Sequence, residues 1–206
     1  MKVKKHSTIT NLLECTHDWT VYLLGGVDVD ADVVYVDFSR AFHSLVHSKL
    51  IYKLTKFGIS GCLPMWINAF LTDRYQCVII EHCFSEWSPV ISGVPQGSVL
   101  GPMLFIIYID DICEVFLGSA VTHQLFADDL KLFSTVKTST NAASLQSTLD
   151  RLQQWCTNWQ LTINIKKCFV LHLGKSNSQI QYTLDGCRIN IAKVLPTCWE
   201  LKSIAI

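Results

Sequence analysis

Aspartates sit at the ends of apolar strand-like runs in this sequence, and that placement limits the available folds more than any other feature. Asp32-Val-Val-Tyr-Val-Asp37 reads as a buried strand. Residues 123–127 and 130–135 read as two further strands, joined at Asp128-Asp129. Carboxylates projecting from a buried sheet repel one another unless a cation lies between them. Hard divalent ions such as Mg²⁺ take oxygen ligands and keep positions open for phosphate. Two such ions ~4 Å apart stabilise the attacking and leaving oxygens of an in-line phosphoryl displacement. The plainer reading is that Asp is a frequent turn and capping residue. A second pair, Asp110-Asp111, supports that plainer reading, because it falls at the end of an apolar helix and reads as solvated.

The remaining elements follow from periodicity and turn residues. Ile9, Leu12, Leu13, Thr16, Trp19 and Leu23 keep helical spacing up to Gly25-Gly26. A helix is expected from Ser39, with Phe42, Leu45, Val46 and Leu50 on one face, and another opened by Pro64 and running to Asp73. Residues 75–80 and 83–87 read as short strands. Ser98 is placed to cap a long apolar helix over 99–116, whose Pro102 falls early enough to be tolerated. Residues 141–159 read as an amphipathic helix through Leu145, Leu149, Leu152 and Trp155. Residues 168–173 read as a strand, and 179–191 as a hairpin about Asp185-Gly186, a pair suited to a type I′ turn. This is an α+β order, and it implies an antiparallel sheet with helices packed on one face.

Composition sets the outer bounds. A chain of 206 residues can bury a substantial core, and 50% hydrophobic with 17% charged residues excludes disorder. Lys+Arg and Asp+Glu number 17 each, so any nucleic-acid binding must come from local patches rather than a global field. Such unevenness exists: the segment 28–37 has four Asp and no base, and basic residues predominate after Leu161. The nine cysteines form no Cys-x-x-Cys pair, which argues against a zinc site and a disulfide scaffold and for reduced thiols. Polar residues follow the basic start where a secretory signal would turn apolar, and the apolar run 99–109 is too short to span a bilayer. The expected setting is therefore intracellular, in cytoplasm or nucleus, with no membrane.

Three blocks then occur in order: Asp37-Phe-Ser-Arg-Ala-Phe42, Gly93-Val-Pro-Gln-Gly-Ser-Val-Leu-Gly-Pro102 and Phe126-Ala-Asp-Asp129. The series resembles the right-hand polymerase palm of reverse transcriptases from non-long-terminal-repeat (LINE-type, jockey-like) retrotransposons, over nearly the whole chain. The resemblance implies RNA-directed DNA polymerisation with two Mg²⁺ ions, or Mn²⁺ in their place. RNA template, DNA primer and dNTPs are the implied partners, and no stable protein partner is implied. Asp37 and Asp128 match the metal-binding aspartates, Asp129 is the less directly bound neighbour, and the carbonyl of Phe38 is a further implied ligand. Phe42 matches the steric gate that selects dNTPs, although it also fits the apolar face of a helix. Gln96 and Gly97 match residues at the template–nucleotide pair, in a segment that also serves as a plain loop-to-helix turn. Arg40 is implied to meet triphosphate charge, or is a surface residue. Trp159-Gln-Leu-Thr-Ile-Asn-Ile-Lys-Lys-Cys168 resembles the family's fourth motif and aligns Lys167 with a proton donor to pyrophosphate; a solvated lysine is the alternative.

The implied organisation is a partial domain. Residues 1–31 correspond to the end of the fingers, 32–175 to the palm and 176–206 to a hairpin toward the primer grip, with the thumb absent. The sequence departs from the family pattern at His43, which stands in place of Asp, and at Ile165, which stands in place of Pro. A second reading is thus a catalytically inactive retroelement remnant that folds or binds nucleic acid without polymerising. A third, a two-metal nuclease, is disfavoured by the Pro-Gln-Gly block. Exposed apolar surface is expected, because the palm ordinarily packs against further parts.

Overall fold

In the computed structural model, which describes residues 30–136 and 139–192, the apolar run after Asp30 becomes the middle strand of a five-stranded sheet. Two compact units divide the chain: the described residues of Met1–Asp37, Glu114–Gln154 and Ile163–Ile206 form one, and Phe38–Cys113 with Trp155–Thr162 the other. The helix expected within residues 1–29, the fingers assignment there and everything after Ala192 lie outside the described residues.

In the first unit, β1 (Ala31–Asp37) is buried along its whole length. It pairs antiparallel with β7 (Asp129–Thr135) on one side and β8 (Phe169–Leu173) on the other. β6 (Thr122–Phe126) extends the sheet beyond β7, and β11 (Asn190–Ala192) beyond β8. The β8–β11 pair is parallel, so the sheet is mixed rather than purely antiparallel as expected. The physical reason is the intervening hairpin of β9 (Thr183–Leu184) and β10 (Cys187–Arg188), which returns the chain to the edge in the same direction as β8. One sheet face carries a core cluster of Val33, Tyr35, Phe133, Phe169 and Leu171, with the rings of Tyr35 and Phe169 stacked at 4.4 Å. The opposite face carries the fully buried Val34, Val36, Leu130, Leu132 and Val170. This alternation is what a half-apolar chain needs if a sheet is to be covered on both sides.

The second unit is built on helices. Its α1 (His47–Lys56) packs against α2 (Cys62–Leu71) and α3 (Leu100–Ile109) around Leu50, Leu54, Leu71, Leu104 and Phe105. Helix α1 begins at His47 and not at Ser39, because residues 39–44 form turns in which Arg40 takes φ 49 and its carbonyl accepts from His43 and Ser44. The two strands expected at 75–87 form a broken ribbon instead: β2 (Tyr75–Gln76) pairs with β5 (Ser88–Pro89), and β3 (Ile79–Ile80) with β4 (Cys83–Phe84). Ser98 accepts from Gly101 N–H at 3.0 Å, the expected cap of α3.

Asp111 corrects the solvated reading of the Asp110-Asp111 pair. The buried Lys53 ammonium binds its Oδ1 at 2.6 Å, donates to the carbonyl of Tyr108 and lies 3.8 Å from the centre of the Trp159 ring. With that ammonium inserted at the Tyr108 carbonyl, the regular helix stops at Ile109 and tightens into a 3₁₀ stretch, Asp110–Phe116. The amphipathic helix α4 (Ser139–Trp159) buries Leu145, Leu149 and Leu152 as its spacing dictates. Among the described residues no helix is long and apolar enough to cross a membrane, and the described cysteines are free thiols.

Candidate active site

The acidic centre arises from strand register. β6 and β7 are joined by only Ala127 and Asp128, and Ala127 takes φ 51 at the first position of this tight turn. Asp128 therefore occupies a hairpin tip, and Asp129 opens β7 directly opposite Asp37, the last residue of β1. Directly opposed residues of an antiparallel pair have Cα atoms about 4.5–5.5 Å apart, so two like charges are forced together, which is destabilising without a countercharge. Asp37 has a side chain only 5% exposed, and one countercharge is already present: the Lys167 ammonium lies 3.8 Å from its Oδ2.

Lys167 is held there through Asp37 itself. The Asp37 carbonyl accepts from Asn164 N–H at 2.8 Å, and the Asn164 carbonyl in turn accepts from Lys167 N–H at 2.9 Å, within the 3₁₀ turn Ile165–Lys167. Beneath the carboxylate, Asp37 N–H donates to the Cys168 sulfur at 3.5 Å. Burial pushes the Cys168 thiol up to about 11, with the Asp37 charge adding and its N–H opposing, so it stays a neutral packing group at physiological pH. The sequence block around Lys167 contains Asn164 and Cys168 but assigns neither a role; their proximity to Lys167 was the available signal.

The donor set fits a hard divalent ion that is shared with a phosphate. Among the described residues no group of three His, Cys, Asp or Glu side chains is placed to hold a metal ion by itself. Mg²⁺ characteristically takes one or two carboxylates and completes its shell with water and substrate phosphate. Paired in register, Asp37 and Asp129 offer two carboxylates of that kind.

The other expected site residues belong to the second unit. Phe38 is buried, and the half-buried Phe42 ring rests on Phe105 with centroids 4.4 Å apart. The segment carrying Gln96 and Gly97 is fastened to the turns after Arg40. Gly93 N–H donates to Leu45 O at 2.7 Å, Val94 N–H to Phe42 O at 2.8 Å, Ser92 Oγ to His43 O at 2.8 Å, and His47 Nε2 to Gly93 O at 2.7 Å. A Cβ at Gly93 would lie 2.6 Å from His43 Cα, and its φ of +82 also demands glycine. Gly97, at φ +77, has open space about it, so its glycine serves conformation. Arg40 and Gln96 line one cleft together with His43 and Arg74. The structure thus brings Asp37, Asp129 and Lys167 together in one unit, and Arg40 and Gln96 together in the other.

Residues 30–189 match the family model described as reverse transcriptase (RNA-dependent DNA polymerase). The chain is 33% identical over 140 residues to the RNA-directed DNA polymerase from mobile element jockey of Drosophila melanogaster, covering 65% of this chain and 15% of that protein. It is 31% identical over 178 residues to the probable RNA-directed DNA polymerase from transposon BS of Drosophila melanogaster, covering 81% of this chain and 19% of that protein. The chain therefore spans less than a fifth of these curated relatives. Among solved structures it resembles the telomerase of Candida tropicalis in complex with a fragment of telomeric RNA, at a TM-score of 0.62 and 12% identity over 90% of this chain and 32% of that one. The same enzyme without RNA, truncated from its C-terminal domain, gives a TM-score of 0.60 at 12% identity over 91% of this chain and 39% of that one. At that identity the likeness speaks to fold alone.

Proposed function

Because the chain belongs to the reverse transcriptase (RNA-dependent DNA polymerase) family, we propose that it carries the nucleotidyl-transfer centre of a non-long-terminal-repeat retrotransposon polymerase, extending a DNA primer on an RNA template with dNTPs. The observation that carries this reading is the register pairing of Asp37 with Asp129, next to Asp128 at the hairpin tip. Asp37, Asp128, Asp129 and the carbonyl of Phe38 would hold two Mg²⁺ ions, or Mn²⁺ in their place. When bound, such ions neutralise charge on the attacking and leaving oxygens of an in-line phosphoryl transfer.

The protein's own groups position and protonate. The primer 3′-hydroxyl gives up its proton to solvent water as its oxygen bonds to the α-phosphorus, and the bond from that phosphorus to pyrophosphate breaks. Lys167 is 64% exposed and tied by its turn to Asp37, which suits an ammonium that gives its proton to the departing pyrophosphate. Phe42, backed by Phe105, presents a ring that would clash with a ribose 2′-hydroxyl. Gln96 and Gly97 lie on a fastened segment suited to the nascent base pair, and Arg40 offers a guanidinium to phosphate. The described residues of 32–175 would form the palm, and those of 176–206 the approach to the primer grip.

The test is extension of oligo(dT) on poly(rA) with dTTP and Mg²⁺, with Asp128→Ala beside the wild type. Extension by the wild type alone supports the reading. Folded wild-type protein that extends nothing selects the inactive-remnant reading instead, and release of mononucleotides from DNA that Asp128→Ala abolishes selects a nuclease.

A further inference from the structure

Strand alternation sorts the residues of the five-stranded sheet onto two faces. On the face that carries Asp37 and Asp129, the only other charged residue of the sheet is Lys131. Lys131 follows Asp129 by two positions on β7, which sets their Cα atoms about 7 Å apart on the same side of the strand. It stands directly opposite Tyr35 on β1 and Gln124 on β6, and its ammonium lies 5.7 Å from the centre of the Tyr35 ring. We propose that Lys131 is a built-in counter-ion of the carboxylate pair: it holds Asp37 and Asp129 together before a divalent ion arrives, and it weakens the site for that ion. The proposal rests on the reading of Asp37 and Asp129 as ion ligands, and it adds the residue that sets how tightly the ion is held.

Three observations carry it. The first is the charge that the register creates. Asp37 and Asp129 are directly opposed, and the Lys167 ammonium that answers Asp37 belongs to a side chain 64% exposed, where solvent and salt screen it. Lys131 is half-buried, so its charge is screened less. The second is the rest of the face. Away from the acidic end lie Val33, Phe133 and Leu171, all buried, and Tyr35 itself is buried against Phe169. An ammonium turned toward that core would lose its water with no anion in return. The stem therefore covers the Tyr35 ring while the charge acts toward the two carboxylates. The third is the size of the donor set. With two carboxylates paired in register, a divalent ion and the two lysines draw on the same negative charge. Substrate phosphate adds negative charge that the lysines have not already taken up, so with Lys131 in place firm ion binding follows the arrival of phosphate.

The experiment is titration of the full chain with Mn²⁺, without nucleic acid or dNTP, read from the electron paramagnetic resonance signal of the free ion. Lys131→Met keeps the length of the stem and removes the charge, and it should bind Mn²⁺ about tenfold or more tightly than the wild type. Lys131→Arg keeps the charge and should bind as the wild type does. Lys175→Met, which removes an exposed charge after β8 in the same unit, should also leave the affinity unchanged. Asp37→Asn should weaken binding in every background. A second readout is the rise in thermal midpoint on replacing EDTA with Mg²⁺. That rise should be larger for Lys131→Met than for the wild type, and because each protein is its own reference, any change in packing made by the methionine cancels. Equal Mn²⁺ affinity of the wild type and Lys131→Met overturns the proposal whatever the midpoints do, and leaves the ion reading of Asp37 and Asp129 standing. Folded protein that binds no Mn²⁺ with or without Lys131, or binding that Asp37→Asn does not weaken, overturns the ion reading itself and this proposal with it.

Discussion

Asp32 and Asp37 lie in the same buried strand, yet their environments give them different work. Asp32 sits on the opposite sheet face and accepts from Tyr182 Oη at 2.6 Å, His172 Nδ1 at 2.6 Å and Asn177 Nδ2 at 2.8 Å, which ties the segment after β8 to the sheet. Asp37 faces Asp129 and Lys167. Tyr182→Phe removes a donor from a buried carboxylate and is expected to cost about 1.5–3 kcal/mol, read by urea unfolding. Burial, then the hydrogen bond to Asp32 and last the Asp32 charge, raise the Tyr182 phenol well above its ordinary 10.0. A raised pKa means that the folded state holds the proton longer. This contribution is whole below about pH 10 and is lost as the pH rises further. Cys168 acts in the same sense between its ordinary 9.0 and about 11. Stability should therefore fall on going from pH 9 upward, and Tyr182→Phe should flatten the part of that fall above pH 10; unchanged slopes would contradict the assignment. At the site, Lys167→Ala should lower kcat for extension by about 10²-fold or more if the ammonium acts as general acid, with little change in primer KM.

Two glycines show at the scale of an element what a turn type requires. Asp185 and Gly186, both at positive φ (50 and 69), make the type I′ hairpin that their sequence announces. Nothing lies within 4 Å of a Cβ at Gly186, so Gly186→Ala costs only left-handed strain, about 1–2 kcal/mol, measurable as a shift in the urea midpoint. Gly93→Ala should behave differently. Its Cβ meets the His43 backbone, so the Ser92–Val94 segment must move, and primer extension should fall along with stability. These turns were legible because glycine chemistry is local. The end of α3 was not, because it depends on Lys53, more than fifty positions away in the chain. The expected helix over 99–116 is correct in its apolar content and wrong in its regularity after Ile109.

For the whole molecule, zero formal charge and a pI near 7.0 leave little repulsion between copies at neutral pH. The ribbon β2–β5 exposes Val78, Ile79, Ile80, Phe84 and Trp87, in keeping with the apolar surface expected of a palm segment. Light scattering near pH 7 should rise with protein concentration, and the double substitution Ile80→Lys, Phe84→Lys should suppress that rise without lowering the thermal midpoint. The order of apolar strands, the aspartates at their ends, the capping serine and the Asp-Gly turn were determined by the sequence alone. Each of these follows from side-chain alternation, helical period or φ preference within a few residues. The sequence also carried three motif blocks specific enough to identify the family. Tertiary structure alone decided that Asp129 opposes Asp37, that β11 joins the sheet parallel to β8, that Asp111 holds a buried lysine, and that Arg74 joins Arg40 in a cleft free of carboxylates. These facts depend on which distant segments share a register or a wall. Pairing of that kind is selected by burial of the whole core and not by any local preference.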